Sequence, residues 1–447
     1  MSTTPVETEG HLKRVLGVPS LVLFGLVYMV PLTVFTTYGI VTETTGGRVD
    51  VAYLITLAAM VFTARSYARM SVAYPVAGSA YAYSQKEFGA PIGFLAGWSL
   101  LLDYLFLPMI NYLVIGIYLN AAIPSVPPWV FILVTIAIVT VLNIVGIVSV
   151  ARANALIIAM QTIFIVVFVV MSFVSISKVG SVDLMAPLRG DGTNPGLSPL
   201  LAGAAILCLS FLGFDSVSTL SEEAKDPKVS VPRAIMIATI LSGLIFFGLS
   251  YIAQLVFTSN QFSDVDSAAL DVMKQAGGQF LSVFFTAAYV AGAAGSALTS
   301  QASVARILYA MGRDGVLPRK IFGYVSPKFF TPTWAIWIVS AVSLIAIVID
   351  LGVLASMISF GALVAFSSVN LAAFKHYYIV KRERSGLQII SSAVIPLIGF
   401  ALTIWLWWSL SGLTLIIGLI WLAVGFLYLA LRTKGFREPT PVLDMKE

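Results

Sequence analysis

The sequence predicts an all-α integral membrane protein of twelve transmembrane helices, and three observations predict it. The first is composition. Of 447 residues, 59% are hydrophobic and only 11% charged, with a mean hydropathy of +0.96. Soluble domains carry roughly 25% charged residues. The second is a series of apolar runs at approximately 18–42, 51–70, 92–119, 128–149, 153–177, 199–221, 233–258, 277–305, 333–350, 353–376, 389–408 and 412–431. Crossing a bilayer takes roughly 20 such residues. The third is charge placement. With the N-terminus in the cytoplasm and the sides alternating, all 26 Lys and Arg fall on the cytoplasmic side except Arg48, Lys178, Arg189 and Lys274. Basic residues concentrate on the inner side of membrane proteins, and a missed or extra span would scramble this pattern.

The same reading divides the chain into a polar cytoplasmic tail (1–14), one membrane domain (15–432) and a second cytoplasmic tail (433–447), in a cell inner (plasma) membrane. Several connections are too short for a separate soluble domain. The first apolar run is too long for a signal-peptide core, and no small-x-small cleavage site closes it. Cys208 is the sole cysteine, so no disulfide framework exists. The net charge of +5 reads as basic cytoplasmic loops, and nucleic acid is not an expected partner.

Spans 1 and 6 share an irregularity. Span 1 reads 24-FGLVYMVPLTVFTTYGIV-41, with Pro31 removing a backbone donor in mid-span and Thr33, Thr36 and Thr37 close by. Tyr28 precedes the break. Span 6 reads 205-AILCLSFLGFDSVSTLSEEAKDP-227 and breaks at Gly213. One such breaker is a tolerated kink. Two interrupted spans in corresponding positions of two halves point to a transport site.

Two acids sit well inside spans. Asp215 follows Gly213. Asp103 lies about ten residues into span 3, or roughly 15 Å deep. No Lys, Arg or His lies at comparable depth; His11 and His376 fall at or outside the inner edge. A carboxyl at the centre of a membrane helix costs about 2.5–3.5 kcal/mol on an insertion scale. Two outcomes are open: either acid is held protonated, or a cationic substrate supplies the missing charge. A carboxyl alternating between proton and ammonium would couple transport to a proton gradient. Tyr104 and Phe214, beside the acids, offer aromatic faces to an ammonium. The competing reading for Asp103 is a structural acid bonded to a neighbouring helix.

Glu222 and Glu223 end span 6 at the inner surface. They read as loop ion pairs with Lys225, Lys228 or Arg233, or as an inner gate. In span 8, Ser296, Thr299 and Ser300 share one helical face. They are open to two readings, a sodium site and ordinary hydroxyl packing.

At these residues the chain resembles the amino acid–polyamine–organocation transporter superfamily. The likeness rests on PVAGSAYAYSQKEFG after span 2, GFDSVSTLSEE and EEAKDPKVSVPRAI at span 6, ARILYAMGRDGVLPRKIFGYVSPK after span 8 and FGALVAFSSVNL in span 10. It covers essentially the whole chain. It implies a five-plus-five inverted repeat with broken helices 1 and 6, two additional helices, and alternating access around the breaks. The phrases GWSLLLDYLFLPMIN and FLGFDSVSTLSEE are most similar to bacterial putrescine importers, which implies proton-coupled uptake of a diamine.

Two departures bear on substrate. Amino acid carriers of the family have a Gly-rich break in span 1 for the substrate carboxylate; here it is Val30-Pro31-Leu32-Thr33. The putrescine branch carries an acid where this chain has Thr36. The expectation is a secondary transporter for a small cationic amine, driven by protons, with sodium as the other coupling ion and an amino acid permease as the other reading. No metal-ligand cluster, nucleophile–base set or phosphate-cradling loop suggests an enzyme, and no cofactor is expected. A light-chain-type subunit would need a single-pass partner, and an ion channel would lack saturable, gradient-coupled flux.

Overall fold

The computed structural model describes residues 15–75, 79–146, 150–178, 182–221, 223–313 and 315–440. Its helices are, in order, α1 (Val18–Met29), α2 (Tyr38–Thr45), α3 (Val49–Ala73), α4 (Ser79–Phe88), α5 (Ala90–Ala122), α6 (Pro128–Val145), α7 (Val150–Ser177), α8 (Ala186–Arg189), α9 (Leu197–Leu207), α10 (Pro227–Val256), α11 (Ala269–Arg313), α12 (Arg319–Phe322), α13 (Thr333–Ser343), α14 (Leu351–Phe374), α15 (Ile395–Trp408) and α16 (Gly412–Arg432). Short 3₁₀ and π segments extend several of them. Apart from one isolated bridge between Leu16 and Ala224, the regular structure among the described residues is helical. That is what a bilayer demands, because a helix satisfies its backbone groups internally.

Among the described residues, eleven helical segments are long and apolar enough to cross a membrane. They coincide with eleven of the twelve runs read from the sequence. The remaining run, 333–350, forms a shorter apolar helix, Thr333–Ile347, whose last turn tightens to 3₁₀. The chain is a multi-pass membrane protein. Apolar side chains such as Leu244, Phe280, Trp405 and Ile420 are exposed on its spans, the kind of surface that lipid tails cover.

Without a hydrophobic drive between helices in lipid, packing and interhelical hydrogen bonds must hold the bundle. One clasp joins α5 to α16. The Trp98 indole N–H donates to the Trp421 carbonyl and the Trp421 N–H donates to the Trp98 carbonyl, both at 2.9 Å, and the rings stack at 4.9 Å. Trp98→Ala is expected to cost about 3–5 kcal/mol through lost packing. Trp421→Phe keeps a ring but loses one donor and is expected to cost about 1 kcal/mol. Thermal unfolding in detergent should rank them in that order; equal losses would argue against the clasp.

A second tie is polar. Gln301 on α11 accepts from Asn143 of α6 (2.9 Å) and donates to Ser340 of α13 (2.6 Å), which itself bonds Thr140 (2.6 Å). At the face rich in Lys and Arg, here the basic face, Glu87 of α4 meets His376 (2.6 Å) and Tyr74 (2.8 Å). Arg69 pairs with Glu383 at 2.5 Å. The strand-like bridge also lies on this face. Val15 and Leu16 donate to the Glu223 carbonyl, and Lys225 donates to the Leu16 carbonyl, tying the start of α1 to the end of span 6.

Candidate functional site

Both expected interruptions are present. In span 1, α1 ends at Met29, Val30 adopts φ +44°, and Pro31–Phe35 continues as a 3₁₀ turn before α2. A positive φ at a β-branched residue is a strained conformation that the surroundings must hold in place. In span 6, α9 gives way to 3₁₀ turns at Cys208–Phe211 and Ser216–Leu220. The gap between them is pivoted on Gly213 at φ +131°. The two breaks face each other: a Cβ on Gly213 would stand 2.8 Å from the Tyr28 ring and 3.1 Å from the Met29 nitrogen. Gly213 thus meets two demands, an uncommon φ and a close crossing.

Beside the breaks lies a cavity of about 340 Å³ between α1, α5, α7, α11 and the span 6 break. Tyr28, Thr33, Thr36, Asn111, Gln161 and Tyr289 supply much of its polar surface, and Ser296, Thr299, Ser300 and Ser303 line it from α11. Among the described residues no charged side chain is in the lining. Asn111 donates to Ser296 at 3.0 Å. The Thr299 and Ser300 hydroxyls donate to carbonyls of their own helix, at 3.0 Å to Gly295 and 2.6 Å to Ser296. Among the described residues, no group of three or more His, Cys, Asp or Glu is placed to hold a metal.

The two acids stand just behind this wall. Asp103 is 7% and Asp215 6% exposed, and among the described residues no basic side chain pairs with either. The Asp215 carboxylate accepts from the Gly213 N–H at 3.2 Å, whereas Asp103 Oδ1 is buried with no hydrogen-bond partner. The carboxyls lie within electrostatic range of each other. Tyr28 and Tyr104 interact with both. Tyr28 lines the cavity and also reaches Ser216 after the span 6 break, so it stands at the boundary between cavity and acid pair.

Phe214 sits elsewhere. It is fully buried against Tyr67 of α3 (5.5 Å) and Phe366 of α14 (5.1 Å), outside the cavity lining. Pro31 is also outside the lining, although it sets the 3₁₀ turn that presents Thr33. Glu222 lies outside the described residues. Glu223 acts through its backbone carbonyl on Val15 and Leu16, and no ion pair joins it to Lys225, Lys228 or Arg233 among the described residues.

Sequence reasoning missed several members. Gln161 and Asn111 carry no charge and so gave no signal in apolar spans. Outside the cavity lining, Asp50 at the first turn of α3 is a further acid, fully buried with Oδ2 unpartnered. Starting span 2 at residue 51 placed it outside the membrane.

Away from the basic face the site is closed. Thr36 and Tyr289 share a 2.5 Å hydrogen bond, and the Tyr118 hydroxyl donates to the Phe35 carbonyl at 3.2 Å. Phe35, Phe168, Phe285 and Tyr118 pack edge to face around them. Above them the segment 257–268 seats against α2, with the Val265 carbonyl where a Cβ of Gly39 would be. Asp266 in this segment is pushed up to about 6, first by partial burial and then by the negative charges of Asp264, Asp350 and Glu43. An ordinary Asp titrates near ~3.9. The seated segment therefore holds the proton more tightly than the released one. Its seating gains as pH falls through about 6 toward 4 and is lost as pH rises through 6. Hydrogen exchange across 257–268, corrected for intrinsic rate, should show more protection at pH 5 than at pH 7. Asp266→Asn should abolish that difference; an unchanged difference would refute the assignment.

The amino acid permease family model matches residues 20–431. The chain belongs to the amino acid permease family. This permease is 40% identical to the low-affinity putrescine importer PlaP of Escherichia coli K12, over 98% of both chains. It is 27% identical to a methylthioribose transporter of Bacillus subtilis, over 93% of this chain and 92% of the relative. It is also 26% identical to the branched-chain amino acid permease BcaP of the same organism, over 94% of each. These relatives are transporters, and so is this permease; it is not an enzyme.

Proposed function

We propose that this permease imports a small cationic amine, a diamine such as putrescine, coupled to protons, in a cell inner membrane with both termini and the basic face in the cytoplasm. The observation that carries the reading is the buried pair Asp103 and Asp215, with Asp103 Oδ1 unpartnered and, among the described residues, no basic side chain to neutralise either. Two buried carboxyls without counter-charge are costly. A proton or a substrate ammonium relieves the cost, and a diamine can relieve it at both. The 40% identity to a putrescine importer across the whole chain supports the same substrate class.

The cavity runs from Thr36 and Tyr289 toward Phe24, Ile157 and Ser303, on the basic side of the breaks. The structure then corresponds to a state closed to the outside. Tyr28 separates the cavity from the acids, so its rotation would admit an ammonium to Asp103 and Asp215. A proton that enters with the amine and is released with it inside would drive uptake down an inward proton gradient. Alternating access follows if two five-helix inverted repeats rock about the broken helices, with the two further helices outside the core. The hydroxyls of Ser296, Thr299 and Ser300 would contact the amine chain, with sodium as a second possible occupant of that face.

Counterflow in proteoliposomes tests this. Labelled putrescine should exchange into vesicles preloaded with putrescine or a similar diamine, and excess diamine should block it. Collapsing an imposed pH gradient should abolish concentrative uptake. Competition by branched-chain amino acids without competition by diamines would overturn the substrate assignment.

A further inference from the structure

A second cavity lies on the basic face, apart from the site above. It has a volume of about 610 Å³ and opens between α3 and the start of α10. Four cations surround it: Arg65 and Arg69 from α3, and Lys228 and Arg233 from α10. Val72 and Met236 contribute apolar wall. Arg69 is held in place: one nitrogen pairs with Glu383 and its guanidinium lies 3.5 Å over the Tyr377 ring, yet Nη1 is buried with no hydrogen-bond partner. Arg65, Lys228 and Arg233 have no ion-pair partner among the described residues. Of the acids, Glu383 is engaged by Arg69, and Asp226 precedes α10. The α10 N-terminus adds its positive dipole end, although the Val229 and Ser230 N–H groups donate to the Asp226 carbonyl.

Four cations converging on one cleft repel each other unless an anion joins them. Guanidinium forks match a phosphoryl group's oxygens. A lipid-facing row on α10 leads away from the cleft: Ile237, Leu241 and Leu244 are 45%, 40% and 53% exposed. An acyl chain would follow that row from a headgroup seated at Arg65 and Arg233. We propose that this cleft is a binding site for a phosphoryl anion, presented by an anionic phospholipid headgroup or by a free phosphate. A bound phosphoryl group would cross-link α3, α10 and the segment after α14 at the basic face.

The test uses the full chain in a neutral detergent, with native mass spectrometry reporting lipid adducts and thermal unfolding reporting phosphate. Phosphatidylglycerol should be retained at least about tenfold over phosphatidylcholine, given the attraction of each basic side chain for anionic lipid. Arg65→Gln/Lys228→Gln/Arg233→Gln should bring it down to the phosphatidylcholine level. Lys320→Gln/Lys381→Gln/Arg437→Gln, which removes the same charge from exposed positions elsewhere on that face, should leave it unchanged. In the second arm, inorganic phosphate raising the wild-type midpoint but not that of the cleft variant assigns the free anion as source. Both probes giving the same result for wild type and the cleft variant, or the two triple variants behaving alike, would overturn the site.

Discussion

Replacing either buried acid by its amide, Asp103→Asn or Asp215→Asn, is expected to reduce putrescine uptake by at least about 100-fold. Removing one partner of a desolvated charge pair costs about 2–5 kcal/mol, and each 1.4 kcal/mol is about tenfold. An amide has nearly the shape of the acid but neither binds an ammonium by charge nor exchanges a proton. Stability should move the other way or not at all. Both acids are buried without a basic partner among the described residues, and Asp103 Oδ1 has no hydrogen bond to lose. The amide variants should therefore unfold in detergent at or above the wild-type midpoint. Tyr104→Phe, which leaves both carboxyls, is the comparison that should retain most uptake. Wild-type uptake in both amide variants would end the proposal. A large fall in midpoint with lost uptake would instead make Asp103 a structural acid.

How far the sequence anticipates this arrangement depends on which residues carry a local signal. Proline and glycine do: the breaks at Val30–Pro31 and Gly213 are where the chain reading puts them, because a missing N–H and a permitted positive φ act on the backbone itself. Carboxylates deep in an apolar run do as well, since their burial is costly whichever way the side chain points, whereas Asp50 at the end of a run gave no such signal. Side-chain direction does not. These helices are apolar all round, so no periodicity shows which face looks inward. Gln161, Asn111 and Ser303 therefore emerge only from packing. Phe214 illustrates the same limit. It is adjacent to Asp215 in sequence, but the turn after Gly213 sends its ring toward Tyr67 and Phe366. Thr36 is the converse case. It stands where the resembling branch has an acid, and in three dimensions its hydroxyl is spent on Tyr289 at the closed end. The two acids available to a dication are then Asp103 and Asp215 themselves.

Gly39→Val is expected to abolish uptake by a different route, by preventing closure on the side away from the basic face. Gly39 lies in α2, immediately after the Tyr38 ring that packs on Phe262. A Cβ there would stand 2.1 Å from the Val265 carbonyl oxygen and 2.6 Å from the Ala268 Cβ. The first contact is with backbone, which cannot rotate away as a side chain would. The segment 257–268 must then lift. A penalty of about 3 kcal/mol on the closed state alone lowers its population about 100-fold, because only a difference between states shifts an equilibrium. Tyr289→Phe provides the scale. It removes only the 2.5 Å bond to Thr36, a loss of about 1 kcal/mol, and should slow uptake less than tenfold. Neither change touches Asp103 or Asp215, so putrescine binding to the purified variants should persist while transport falls in the order Gly39→Val far below Tyr289→Phe. If Gly39→Val transported normally, the contact between α2 and 257–268 would not be the closing step. If it lost binding together with transport, the substituted residue would be acting on the site itself and not on closure.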